Sequence, residues 1–182
     1  RPAPGTSLGF RLVERGAAER VDDANAGMGI AAADYDGDGV TDLFVTNSRG
    51  QLHAAYRAGA PGRAFEDARP TFAPAAGSSF TGWGAGWADL DLDGDLDLVL
   101  ANGAIPVRRP ARDAQPVQVL GQGPDGFVDA SGATGLASGP RLNGRGLATA
   151  DFDNDGDLDV AVNSVGGRLA LPGRAAQRER SA

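Results

Sequence analysis

Fourteen of the chain's 24 acidic residues fall in three short stretches of near-identical wording: DYDGDGVTD from Asp34, DLDLDGDLD from Asp89 and DFDNDGDLD from Asp151. Each fits D-x-D-x-D-G-x-x-D, with carboxylates at every second position and glycine sixth. Carboxylates crowded this tightly repel one another, and a cation relieves that repulsion. Hard oxygen donors in this number suit Ca²⁺, which takes six to eight oxygens from carboxylates, carbonyls and water. The loops offer neither thiolate nor imidazole, so zinc is a poor match.

The remaining acids are outnumbered by 17 arginines, so the net charge of −7 reports the loops rather than a uniformly acidic surface. Three bound Ca²⁺ would bring the chain close to neutrality. The arginines are dispersed and not interleaved with aromatics, which argues against a nucleic-acid partner. No apolar run approaches the ~18 residues of a membrane span, and no signal peptide is visible. The chain opens on Arg1 rather than Met, so a preceding segment is expected. It has no cysteine, so thiols say nothing of the redox compartment.

An EF-hand loop also begins D-x-D-x-D-G, but it places a bidentate Glu at position twelve and lies between helices. Here position twelve is Val45, Leu100 or Val162, and the acid stands at position nine, as Asp42, Asp97 or Asp159. Glycine-rich stretches precede the loops and apolar runs follow them, so strands must carry them. The runs are Leu43–Val45, Leu98–Leu100 and Val160–Val162, each closed by an asparagine (Asn47, Asn102, Asn163).

The surrounding elements repeat as well. Gly27 and Gly29, Gly82 and Gly84, and Gly144 and Gly146 precede the three loops at fixed distances. Phe10, Phe65 and Phe127 each stand 24 residues before the first loop Asp. Period lengths of 55 and 62 residues mark an array whose units cannot bury their apolar faces alone. The units are a leader over 1–9, then repeats over 10–64, 65–126 and 127–182. Each reads as four short strands: one from the Phe, one through the glycine pair, one leaving the loop, and one near 52–56, 117–120 or 168–171. The longer second unit carries its extra residues in IPVRRPARDAQP, expected as a protruding loop. The fold class is therefore all-β.

These units resemble the FG-GAP or VCBS repeat family, most closely the repeats of ASPIC/UnbV-type (cartilage acidic protein-like) proteins. The likeness rests on G-x-G-x-x-x-x-D-x-D-x-D-G-x-x-D-[LV] in all three units and on the phrase FVDASGATGL from Phe127, echoed weakly by FEDARPTF from Phe65. It implies blades of an integrin-type β-propeller, here partial, because three blades cannot close a ring. It also implies Ca²⁺ ligands at positions 1, 3, 5 and 9 and the carbonyl at position 7. Those are Asp34, Asp36, Asp38, Val40 and Asp42; Asp89, Asp91, Asp93, Asp95 and Asp97; and Asp151, Asp153, Asp155, Asp157 and Asp159. The extra acids Asp95 and Asp157 lend only backbone in that scheme.

Other motifs weigh little. GTSLG at 5–9 matches a nucleophile elbow, but Pro4 precedes it and the sole histidine is His53. GQGPDG at 121–126 reads as a turn, His53 as a half-exposed strand residue, and Trp83 and Trp87 as packing between units. The expected function is a non-enzymatic, calcium-bound module of a secreted or cell-envelope protein, serving adhesion or binding of a protein or glycan. The competing readings are an appendage or scaffold of a polysaccharide-acting hydrolase or lyase, and a structural spacer. Neighbouring repeats of a larger chain, or self-association, would cover the end units.

Overall fold

The computed structural model describes residues 12–60, 62–134, 136 and 139–171. Phe10, the leader with its GTSLG and the polar segment after Leu171 lie outside them. Three antiparallel sheets follow one another along the chain. The first contains β1 (Gly27–Ala33), β2 (Asp42–Asn47), β3 (Ala54–Arg57) and β4 (Glu66–Asp67) in sequential order. The second repeats this with β5 (Gly82–Ala88), β6 (Asp97–Asn102), β7 (Val117–Gly123) and β8 (Gly126–Asp129). The third has β9 (Gly144–Ala150) and β10 (Asp159–Ser164), and Ala170 pairs with Val162 as an isolated bridge where a third strand was expected over 168–171. The architecture is mostly β, three consecutive blades of a partial propeller. Short helices interrupt it: α1 (Gly16–Glu19), α2 (Arg69–Ala76) and α3 (Pro110–Asp113). No helix among the described residues is long and apolar enough to cross a membrane.

The sheets are phased differently from the sequence units. The strand that follows Phe65 pairs with β3, and the one holding Phe127 pairs with β7, so each closes the preceding sheet. The polypeptide then turns on an aspartate. Asp67 accepts the Arg69 N–H at 3.0 Å and Asp129 the Ser131 N–H at 3.0 Å, short side-chain turns that redirect the chain toward the next sheet.

Strand β6 explains how the sheets pack. All six of its residues are buried, because alternate side chains serve two different cores. Leu98 and Leu100 join Phe44, Phe72, Leu120 and Phe127 between the first and second sheets. Val99 and Ala101 join Val117, Val119, Val160 and Val162 between the second and third. In β2 and β10 burial mostly alternates, since each presents a less covered second face. Helix α2 supplies Phe72, 2 % exposed, to the first core. Its sequence, RPTFAPAA, contains two prolines and no helical periodicity, which hid it. Pro70 suits the first turn, where an N–H would lack a partner anyway.

The insertion in the second period is not a free protrusion. Gln115 and Leu142 exchange backbone hydrogen bonds of 2.7 and 2.8 Å. Asn143 Nδ2 donates to the Pro110 carbonyl, and Arg145 Nη2 to that of Ala104. The arginine-rich segment is thus tied to the start of the third sheet. Trp83 and Trp87 also serve contacts between units: Arg145 lies 4.0 Å above the Trp83 ring, and Trp87 stacks at 5.7 Å on Tyr35, in the loop between β1 and β2.

Candidate metal-binding loops

Each aspartate loop joins the first and second strands of its sheet, and the three loops share one backbone. The sixth-position glycines Gly39, Gly94 and Gly156 have φ of +86°, +97° and +96°, a region open to glycine at little cost. Position four is left-handed too: Gly37 at +71°, Leu92 at +63° and Asn154 at +61°. The motif has no consensus residue there, and only the glycine and the asparagine at two of the three positions hint at it.

The carboxylates first organise their own loop. The position-one group takes two backbone donors. Asp34 accepts the N–H of Asp38 (3.0 Å) and Gly39 (2.8 Å), Asp89 those of Asp93 and Gly94 (both 3.1 Å), and Asp151 those of Asp155 and Gly156 (both 3.1 Å). The position-five group accepts the N–H two residues on: Asp38 from Val40, Asp93 from Asp95 and Asp155 from Asp157. Position nine ties the loop to the sheet. Asp42 accepts from Tyr35 (3.2 Å) and from Ala58 just past β3 (2.7 Å). Asp97 accepts from Leu90 (3.1 Å) and Gln122 (3.2 Å), and Asp159 from Phe152 (3.0 Å).

Burial raises the affinity of Asp42 and Asp97 for protons, and the neighbouring loop aspartates add to the effect. Tyr35, whose ring enters the first core, is pushed up to about 12 by burial and then by Asp42 and Asp36. A cluster of acids with raised proton affinity is one that a cation would stabilise.

In each loop three carboxylate oxygens lie within 4.8 Å of one another: Asp34, Asp36 and Asp42; Asp89, Asp91 and Asp93; Asp151, Asp153 and Asp159. These triads could hold a metal ion, and their donors are hard oxygens throughout, which fits Ca²⁺ or Mg²⁺ rather than a soft ion. Asp38, Asp97 and Asp155 are members of the same loops but stand outside the triads. Asp38 instead pairs with Arg57, a residue the motif gave no reason to single out.

Two further sequence expectations change. His53 is buried, 5 % exposed, rather than half-exposed. Its Nδ1 accepts the Asn47 N–H at 2.9 Å, and burial lowers its pKa to about 4. Asn163 is not the counterpart of Asn47 and Asn102. Those two use Nδ2 to hold the carbonyls of Leu52 and Pro116, whereas Asn163 Oδ1 accepts the Gly146 N–H, as Thr46 Oγ1 accepts that of Gly29. Ser164 faces Gly144 where Asn47 faces Gly27.

Residues 34–100 match the family described as FG-GAP-like repeat. That span runs from the first aspartate of the first loop through the second loop into β6; the third loop carries the same pattern outside it. No curated protein matches the chain.

Proposed function

We propose that the chain is a calcium-binding FG-GAP repeat module of a secreted or cell-envelope protein, without enzymatic activity, that presents a surface for adhesion or ligand binding. The observation that carries this reading is the threefold recurrence of one loop geometry, with an all-oxygen triad in each loop. Asp34, Asp36, Asp38 and Asp42 with the Val40 carbonyl would hold the first ion. Asp89, Asp91, Asp93 and Asp97 with the Asp95 carbonyl would hold the second, and Asp151, Asp153, Asp155 and Asp159 with the Asp157 carbonyl the third. Extracellular calcium modules work at Kd of about 10⁻⁴–10⁻³ M, matched to the free calcium outside cells, which is the setting this reading expects. The finer likeness to ASPIC/UnbV-type repeats rests on the loop motif together with the phrase FVDASGATGL and its weaker echo FEDARPTF.

Burial of the single histidine supports the non-enzymatic reading, because His53 already spends Nδ1 on the Asn47 amide. An ion bound only by the native state adds about 2.7 kcal/mol of stability per site at 100 Kd. Calorimetry or native mass spectrometry should find three Ca²⁺ per chain, with Asp93→Ala removing one, and the Tm should rise between EDTA and millimolar Ca²⁺. A single ion, or an unchanged Tm, would overturn the calcium reading. A glycan and protein array probed in Ca²⁺ and in EDTA tests the binding role, which fails if nothing is retained in either.

A further inference from the structure

Arg57, the last residue of β3, reaches into the first loop. Its Nε pairs with Asp36, and its Nη2 lies 3.2 Å from Asp38. Asp36 belongs to the triad of that loop, so the guanidinium engages a carboxylate that an ion would use.

Among the described residues no guanidinium pairs with an aspartate of the second loop, for a reason visible in the register. Tyr56 lies opposite Leu43 and Leu120 opposite Leu98, which puts Gly121 in the place of Arg57. The next residue confirms the alignment, since Ala58 donates to Asp42 as Gln122 does to Asp97. A Cβ on Gly121 would stand 3.2 Å from that of Ala130 and 3.7 Å from an Asp97 oxygen. In the third sheet Ala170 lies opposite Val162 as Ala54 lies opposite Val45, so the corresponding sequence position is Gly173, outside the described residues. The first sheet therefore carries a cation where the second carries glycine.

We propose that Arg57 is a built-in counter-cation of the first loop. It neutralises Asp36 and Asp38 while the loop is metal-free and has to withdraw before a divalent cation can use them, which makes the first site fill after the second. This rests on the reading of the loops as calcium sites. The two pairs are partly solvent-exposed, with the Arg57 side chain 44 % exposed, so the competition is modest and reversible. Losing them shifts the midpoint of the first site by roughly ten-fold in Ca²⁺ concentration. Such an offset keeps the first loop folded on its own charge over a range of calcium in which the second already requires the ion.

The backbone amides of Gly39, Gly94 and Gly156 report the three loops separately in an NMR titration of the whole chain with CaCl₂. Gly39 should shift at higher Ca²⁺ than Gly94. In Arg57→Gln its midpoint should fall by roughly ten-fold to meet that of Gly94, and Arg57→Lys should keep most of the delay. The proposal is overturned if Gly39 titrates with or before Gly94 in the wild-type chain, or if Arg57→Gln leaves its midpoint in place. No response at any of the three glycines would sink the calcium reading as well, an outcome distinct from three responses with a shared midpoint.

Discussion

The hydroxyl of Thr46 joins two sheets: it accepts the N–H of Gly29 in its own sheet at 2.9 Å and donates to the carbonyl of Trp83 in the next at 2.8 Å. The approach is so close that a Cβ on Gly29 would stand 1.9 Å from the Trp83 oxygen. The pairing of β1 with β2 slips between Gly27 and Gly29, that of β5 with β6 between Gly82 and Gly84, and the third sheet slips at the matching place. These bulges turn the carbonyls of Trp83 and Arg145 toward the preceding sheet. A Cβ on Gly84 would meet the Arg145 oxygen at 2.8 Å.

Gly29→Ala should therefore destabilise the protein by at least about 2–3 kcal/mol, because the obstruction is backbone that cannot rotate away. Gly146→Ala, whose nearest neighbour would be the Asn163 side chain at 3.4 Å, should stay within about 1 kcal/mol of the wild type. Urea denaturation of the two variants in the same buffer checks the contrast, and equal losses would refute it.

Leu92 offers a stabilising change. It holds a left-handed φ of +63° with its side chain exposed, a conformation that disfavours a branched residue by roughly 1–2 kcal/mol. The third loop has Asn154 at this position and the first has Gly37. Leu92→Asn should raise stability by about 1 kcal/mol in saturating Ca²⁺, read from the denaturation midpoint at constant m value. A lower midpoint would mean that the leucine makes contacts worth more than its backbone costs.

Aspartates within one loop should divide by role. Asp97 is buried and takes the N–H groups of Leu90 and Gln122, so Asp97→Ala leaves two donors unsatisfied and should cost about 2–4 kcal/mol even in EDTA. Asp91, exposed in the triad, should matter only when the ion is bound. Asp91→Asn should leave the melting temperature in EDTA unchanged or slightly higher and remove much of the gain from Ca²⁺. Parallel melts of both variants, with and without the chelator, separate the two roles.

The loop residues and their repeat were legible because glycine geometry, and carboxylates that accept their own loop's amides, impose fixed spacings on adjacent positions. What escaped depended on contacts distant in sequence. Arg57 meets Asp36 only because β3 folds back along β2. The equivalence of Asn163 with Thr46 was open to counting, since both stand twelve residues after the first loop Asp whereas Asn47 and Asn102 stand thirteen after it, and the shared residue type hid that difference. Helix α2 forms because Phe72 is drawn into the first core, against a local sequence that favours turns. The alternation Leu98, Val99, Leu100 was visible, but a run of apolar residues does not say that its two faces serve two cores.

Hydrogen exchange should reveal that division. The amides of β6 lie in a strand buried on both faces and should be the slowest in the chain, whereas β10, with one less covered face, should exchange sooner. Leu100→Ala should cost about 2–5 kcal/mol and speed exchange across the first and second sheets together. Equal protection of β6 and β10 would show that the third sheet is covered as fully as the second.

Stability should also depend on pH through His53. Its folded pKa of about 4, against 6.5 for the free side chain, means the unfolded chain binds a proton that the native chain refuses. Stability is full above 6.5 and declines as the pH falls from there toward 4, by up to roughly 3 kcal/mol. His53→Gln, which keeps an acceptor for the Asn47 amide, should flatten that slope in EDTA. A slope unchanged by the substitution would place the titrating group elsewhere.

The joint at Gly29 has a direction. The first sheet offers a glycine and the second answers with a bulged carbonyl; the second then offers Gly84, and the third answers with Arg145. Donor and recipient are different faces of one unit, so a tandem duplication of a single period in the gene would yield a unit already shaped to fit between existing ones. The fold can lengthen or shorten by whole periods without a new surface having to be invented. Between such events the residues at the joint are held by what the adjacent unit requires, and the strand margins and the arginine-rich insertion are left to diverge.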